Sequence, residues 1–299
     1  MPLDTTPPTT SATQLPTVNA NGWNNTDVAV ALSATDNAGG SGLKEIRFTL
    51  SGAQTGDGLI GGSSTSMTIS AEGITALTYF AVDNAGNQET PKTLTVRIDK
   101  TPPLPPTASV TPAPNAAGWN NDPSVTVTFA GNGDTGAVLG SPVACTGPTT
   151  LSSETAGIVV KGTCTDAAGN SSTETSVTVK IDRTPPTVRC GVTPAMLWPP
   201  DHKLTPVSVT VGVTDSLSGP AGFTLRSVTS SEPGTAPGNT TGDIQGFVTG
   251  TASTAGQLRA ERSGTGSGRV YTLTYQGMDV AGNAAICSTT VTVPHDQRR

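Results

Sequence analysis

Apolar and polar positions alternate in short bursts along this chain. Residues 27–34 read Asp-Val-Ala-Val-Ala-Leu-Ser-Ala, and residues 124–129 and 206–213 carry the same two-residue period. That period puts every second side chain on one face, which predicts half-buried strands. A second set of segments recurs near the end of each third of the chain: 78–82 with 93–98, 158–165 with 176–181, and 270–277 with 285–293. Each pair flanks an Asp-x-Ala-Gly-Asn step, at 83–87, 166–170 and 279–283. The glycine of that step supplies the positive φ of a tight turn, so each pair predicts a hairpin.

The turn is one part of a longer repeat. Asp4-Thr5-Thr6-Pro7-Pro8 recurs as Asp99-Lys100-Thr101-Pro102-Pro103 and as Asp182-Arg183-Thr184-Pro185-Pro186. Gly22-Trp23-Asn24-Asn25 recurs as Gly118-Trp119-Asn120-Asn121. A period of about 80–115 residues is far longer than a solenoid repeat, so each copy is expected to be a domain. The expected boundaries are 1–99, 100–182 and 183–299, with short Pro-rich linkers between them. About seven short strands per copy, separated by turn signals, predict three tandem immunoglobulin-like β-sandwiches in an extended array.

Composition agrees with an all-β chain. Of 299 residues, 34% are hydrophobic and only 13% charged, with 35 glycines and 24 prolines. Helix formers are scarce and breakers dense, which disfavours long helices. The net charge of −6 divides as −5, −3 and +2 over the three expected domains. No cluster of Lys and Arg suggests a nucleic-acid partner, and no apolar run reaches the roughly 18 residues of a membrane helix. Met1-Pro2-Leu3-Asp4 leads straight into a Thr/Pro stretch. The chain therefore reads as a mature piece, or as a fragment of a longer secreted protein. The four cysteines allow three pairings. The repeat boundaries favour Cys145–Cys164 and Cys190–Cys287, one closed loop in each of the last two domains, and disulfides imply an oxidising, extracellular compartment.

The strings Gly-Trp-Asn-Asn, Thr-Asp-Asn-Ala-Gly-Gly-Ser-Gly at 35–42, Asp-Asn-Ala-Gly-Asn at 83–87 and Ile-Asp-Lys-Thr-Pro-Pro at 98–103 together resemble bacterial Ig-like (Big-type) repeats. The third domain resembles a related version, through Leu197-Trp198-Pro199-Pro200-Asp201-His202-Lys203 and Leu258-Arg259-Ala260-Glu261-Arg262. The resemblance implies tandem arrays in large secreted and cell-surface proteins.

Catalytic signatures are sparse. The sequence has no metalloprotease, nucleophile-elbow or Walker motif. Gly264-Thr265-Gly266-Ser267-Gly268 is expected to be a hairpin loop, and His202 a solvated surface residue. Trp23, Trp119 and Trp198 are expected at one repeat position, either closing a sandwich end or offering a sugar-stacking platform. The functional expectation is a non-enzymatic extracellular array: a stalk, adhesin segment or filament subunit. Its partners would be copies of itself, other extracellular proteins or polysaccharide. The alternative is a polysaccharide-binding module attached to a secreted hydrolase, and a third is an enzyme hidden in the last domain.

One metal expectation follows from topology. In an Ig-like sandwich the entering linker and the loops after the second and sixth strands meet at one pole. Each repeat places an aspartate in all three: Asp4, Asp36 and Asp83; Asp99, Asp134 and Asp166; Asp182, Asp215 and Asp279. Three carboxylates at one pole repel one another unless a cation neutralises them, and Ca²⁺ takes six to eight oxygens. The resemblance points the same way, since some tandem Ig-like adhesins hold calcium at such a joint. The competing reading is that each aspartate bonds its own turn backbone.

Overall fold

A computed structural model describes residues 4–134, 143–234 and 241–296. The described residues form strands and no helix. Strands of the first third are β1 (Thr9–Leu15), β2 (Val28–Thr35), β3 (Leu43–Gly52), β4 (Gly56–Gly61), β5 (Ser64–Ile69), β6 (Gly73–Asp83) and β7 (Lys92–Ile98). The middle contributes β8 (Thr107–Thr111), β9 (Trp119–Asn120), β10 (Val125–Ala130), β11 (Ala144–Cys145), β12 (Thr149–Leu151), β13 (Thr155–Gly162), β14 (Cys164–Thr165) and β15 (Thr175–Ile181). The remainder are β16 (Thr187–Thr193), β17 (Leu204–Thr214), β18 (Pro220–Ser230), β19 (Ile244–Gln245), β20 (Ala255–Arg259), β21 (Gly268–Asp279) and β22 (Ala284–Pro294).

These strands build tandem immunoglobulin-like sandwiches. The chain gathers into two compact units: Met1–Ser109 with Val127–Thr149 and Lys161–Val177, and Val110–Thr126 with Thr150–Val160 and Thr178–Arg299. In the first unit, sheet β1-β2-β5 packs on sheet β4-β3-β6-β7. Strict alternation in β2 sends Val28, Val30, Leu32 and Ala34 inward, against Ile46, Leu77, Tyr79, Val96 and Ile98 of the other sheet. In the second unit, sheet β16-β17-β20-β19 packs on β18-β21-β22, with Val207, Leu225, Leu258, Tyr271, Tyr275 and Val291 at its centre. Residues 107–181 supply sheets β12-β10-β8 and β13-β15-β9 and the ribbon β11–β14.

The expected hairpins form. β6 pairs with β7, β13 with β15 and β21 with β22, all around Asp-x-Ala-Gly-Asn turns. Gly86, Gly169 and Gly282 carry φ of 93°, 96° and 98°, where a Cβ would be strained. Two local expectations fail. The glycine-rich segment 264–268 is not a hairpin loop: it carries the chain from β20 in one sheet to β21 in the other. Trp198 does not share the place of Trp119. A short parallel bridge joins Trp119 to Lys180, and the corresponding bridge joins Met196, not Trp198, to Thr292. The last tryptophan thus stands two residues beyond the paired position, directly before the Pro199-Pro200 corner.

Candidate metal centres at three acidic poles

The structure brings the nine aspartates together in the three expected triads. In each triad every residue offers one carboxylate oxygen, and these oxygens lie within 4.8 Å of one another. Repeated local chemistry produces the repeated geometry. The linker aspartate accepts from the amide two residues on: Thr6 N at 3.1 Å for Asp4, Thr101 N at 3.2 Å for Asp99, and Thr184 N at 3.1 Å for Asp182. The turn aspartate closes its own loop. Asp83 Oδ1 accepts from Asn87 N, Asp166 Oδ1 from Gly169 N and Asn170 N, and Asp279 Oδ1 from Gly282 N and Asn283 N, all at 2.7–2.9 Å. The turn asparagine then ties loop to linker. Asn87, Asn170 and Asn283 each donate Nδ2 both to their own turn aspartate and to the backbone carbonyl of the linker aspartate, at 2.7–3.0 Å. The middle member is less uniform. Asp36 Oδ2 accepts from Gly42 N at 2.7 Å, while Asp215 Oδ1 accepts from Leu217 N and Gly219 N. Gly40 lets the backbone come this close, because a Cβ there would lie 2.7 Å from Asp36 Oδ2 and 2.9 Å from Asp4 Oδ2.

Turn bonding therefore does occur, and it leaves oxygens over. Asp99 is 1% exposed, and its Oδ2 accepts no hydrogen bond. Asp36 Oδ1 is enclosed and likewise accepts none. Burial raises the Asp99 carboxyl above the ordinary aspartate range; the Thr101 amide opposes this, and the charges of Asp134, Asp166 and Glu72 add to it. Asp4 lies below that range, chiefly because the Ser41 amide donates to it. Burial pushes Asp215 up too, but the amides of Gly219, Leu217 and Ser218 outweigh it and hold the group low. The three poles thus share a plan but differ in how far amides have already neutralised it.

A second repeated feature lies beside two of the poles. Residues 19–23 and 115–119 each form an Asn-capped knuckle. Asn19 Oδ1 accepts from Trp23 N and Asn115 Oδ1 from Trp119 N, both at 3.0 Å, and Gly22 and Gly118 turn at φ 79° and 81°. The oxygen faces inward, so the amide nitrogen is left to donate outward. Asn19 Nδ2 reaches Ala167 O at 2.8 Å, and Asn115 Nδ2 reaches Val280 O at 2.9 Å. Trp23 packs on Ala167 and Ala168, so it closes the repeat against the next Asp-x-Ala-Gly-Asn loop. Trp119 is equally buried, at 7% exposure, with the Lys180 ammonium 5.6 Å from its ring centre. Knuckle, linker and loop form a closed circuit at the first such joint: Asp99 N donates to Asn24 O, and Asn170 Nδ2 donates to Asp99 O. Neither buried tryptophan can stack on a sugar; Trp198, 42% exposed, can.

Sequence reasoning missed several residues. Glu72 accepts from Lys100 N and Thr101 Oγ1, and Glu154 accepts from Arg183 N and Thr184 Oγ1, so a glutamate pins each of the last two linkers. Arg269 is fully buried and bonds Asp243 Oδ2 at 2.6 Å and Tyr271 OH at 2.9 Å. His202 is exposed as expected, but its Nδ1 lies 2.9 Å from the fully buried Glu261, and its φ is 61°. The charged positions set among apolar ones in 258–262, and Arg269 at the head of the alternating stretch 269–275, are the sequence signals for that buried cluster. The cysteines join as Cys145–Cys164 and Cys190–Cys287.

No family model and no curated protein matches the sequence. Some solved structures align with this chain at low identity. Fibronectin(III)-like modules of CbhA from Clostridium thermocellum are 17% identical, covering 57% of this chain and 94% of theirs, with a TM-score of 0.29. A tetra-tandem repeat from the extending region of a large adhesion protein is also 17% identical, covering 96% and 75%, with a TM-score of 0.32. Extracellular cadherin domains 3–6 of protocadherin gamma B2 are 14% identical, covering 94% and 73%, with a TM-score of 0.31. At these values function has to be argued from this chain's own residues.

Proposed function

We propose that this chain is a non-enzymatic extracellular array of three Ig-like domains, 1–99, 100–182 and 183–299, that serves as a stalk or adhesive segment and binds calcium at its three acidic poles. The observation that carries the reading is the second triad: three carboxylates within 4.8 Å, one of them buried with an oxygen that accepts no hydrogen bond. Two unit charges about 5 Å apart repel by roughly 3 kcal/mol at an effective dielectric near 20, so the metal-free pole is costly and a divalent cation relieves it. The hard oxygen donors suit Ca²⁺, which tolerates irregular ligand sets. Asn24 and Asn120, both 3% exposed, lie beside Asp99 and Asp182 with side-chain oxygens that accept no hydrogen bond. They are the neutral ligands assigned to the second and third ions. Calcium would hold the linker to the loop after it and so limit bending at each joint. Two disulfides fit an oxidising compartment.

Calorimetric titration with Ca²⁺ after chelation tests the reading. Three ions per chain are expected, with dissociation constants around 10⁻⁴–10⁻³ M, the range of extracellular modules. No heat of binding at millimolar calcium would end it. A polysaccharide-binding role has one observation in its favour, the exposed Trp198 beside Met196, Pro199 and Asp201 in a shallow pocket. Quenching of Trp198 emission by soluble glycans would support it.

A further inference from the structure

The Asp-x-Ala-Gly-Asn loop occurs three times in one backbone geometry. Its closing bonds agree closely: the first amide donates to the last carbonyl at 3.2, 3.1 and 3.1 Å, and the glycine amide donates to the aspartate carbonyl at 3.3 Å in every copy. Two copies are seats. Ala167 and Ala168 are covered by Trp23, and Asn19 and Asn21 donate to Ala167 O. Ala281 is 4% exposed, and Asn115 donates to both Val280 O and Ala281 O. The glycines record the same contact. A Cβ at Gly169 would come within 4.0 Å of Asn25 Nδ2, and one at Gly282 within 3.6 Å of Asn121 Nδ2. The first copy lacks the glycine-amide bond that Asp166 Oδ1 and Asp279 Oδ1 accept, and it differs on the seat face as well. Asn84, Ala85 and Gly86 are exposed, and a Cβ at Gly86 would meet nothing within 4 Å. Asn84 does not fill the seat itself, because its side chain is turned back to the carbonyls of Ser41 and Gly42 at 3.0 Å.

The geometry points to an open docking seat at Asn84-Ala85-Gly86, whose occupant is an Asn-x-x-Gly-Trp knuckle from a further repeat of the same kind joined in line ahead of Asp4. The linker supports the assignment, because Asp4–Pro8 is built like the two linkers that each follow a seated knuckle, down to the Asn87 bond to Asp4 O. A second copy of this chain is the poorer occupant. Its two knuckles are engaged within the chain, and the end of its last domain away from the acidic pole offers Met196 and Trp198 without a capping asparagine.

The test compares the full chain with one extended by a copy of residues 100–181 placed directly before Asp4. Both carry Ala85→Cys, a substitution at an exposed position, and thiol labelling is followed at several protein concentrations. The extended chain is expected to label at least about tenfold more slowly, the behaviour of a locally protected site. Replacing the added repeat's Asn115 and Trp119 by Ala should restore fast labelling. Hydrogen exchange of the amides at 84–87, without any cysteine, should show the same protection, with the amides at 167–170 as the seated reference. Equal labelling of extended and unextended chains overturns the proposal. Protection that instead grows with the concentration of the unextended chain also overturns it, in favour of a second copy.

Discussion

Asp99 shows how one carboxylate can be unfavourable without a metal and useful with one. Its burial and its neighbours Asp134, Asp166 and Glu72 raise its folded pKa, so the metal-free protein gains stability as the group is protonated and loses it as pH rises above about 4. Asp4 and Asp215 work the other way: amide donors lower them, and their contribution is present above the ordinary aspartate value and lost as pH falls. Asp99→Asn should therefore raise the melting temperature in chelator and reduce the stabilisation by millimolar calcium. The Asn oxygen can still accept from Thr101 N, so the cap survives. Each kcal/mol corresponds to about 2–4 °C in a unit of 150–250 residues, so scanning calorimetry at pH 4 and pH 7 resolves the sign. A variant that melts lower in chelator at pH 7 would show that the carboxylate is satisfied by protein alone.

At the level of elements, close approach explains where small residues stand. Gly277 in β21 faces the other sheet, and a Cβ there would lie 2.6 Å from Val188 Cγ2 and 2.9 Å from Val213 Cγ2. Gly277→Ala should cost about 1–3 kcal/mol by overpacking, read from a urea midpoint. The knuckle at 19–25 is an element of the same kind, small and held by few bonds. It donates to the loop that carries Asp166 and accepts from the amide of Asp99, so the ion site and the Trp23 seat share their walls. In a Trp119→Phe, Trp198→Phe background, Trp23 emission should shift to the red on chelation and return with calcium. Emission that ignores calcium while calorimetry still records binding would separate the joint from the ion.

At the level of the molecule, the longest covalent constraint is Cys190–Cys287, which spans 97 residues. In the chain-entropy model a loop of this length stabilises by about 4–5 kcal/mol, an upper figure because reduced chains retain structure. Replacing both cysteines by serine should cost about 1.5 kcal/mol more than replacing Cys145 and Cys164, whose 19-residue separation restricts the unfolded chain less. Equal losses from the two pairs would contradict the loop-length argument.

Strand positions, hairpins and the membership of each acidic triad were legible in the sequence because all three are periodic, and the cysteine pairs because each pair falls within one repeat. Alternation reports burial on a pleated sheet, and a repeated turn aspartate returns to the same pole whenever the topology repeats. The linker glutamates, the buried Arg269 cluster and the displacement of Trp198 were not legible. Each depends on which side chain meets which across sheets or along a linker, a matter of register and depth that spacing does not encode. The partner of Trp23 is the clearest case. The sequence by itself left Trp23 two roles, closing the sandwich end or stacking on a sugar. Only the tertiary structure decided that it closes on Ala167 and Ala168, because two segments about 145 residues apart become neighbours only when the linker between them turns.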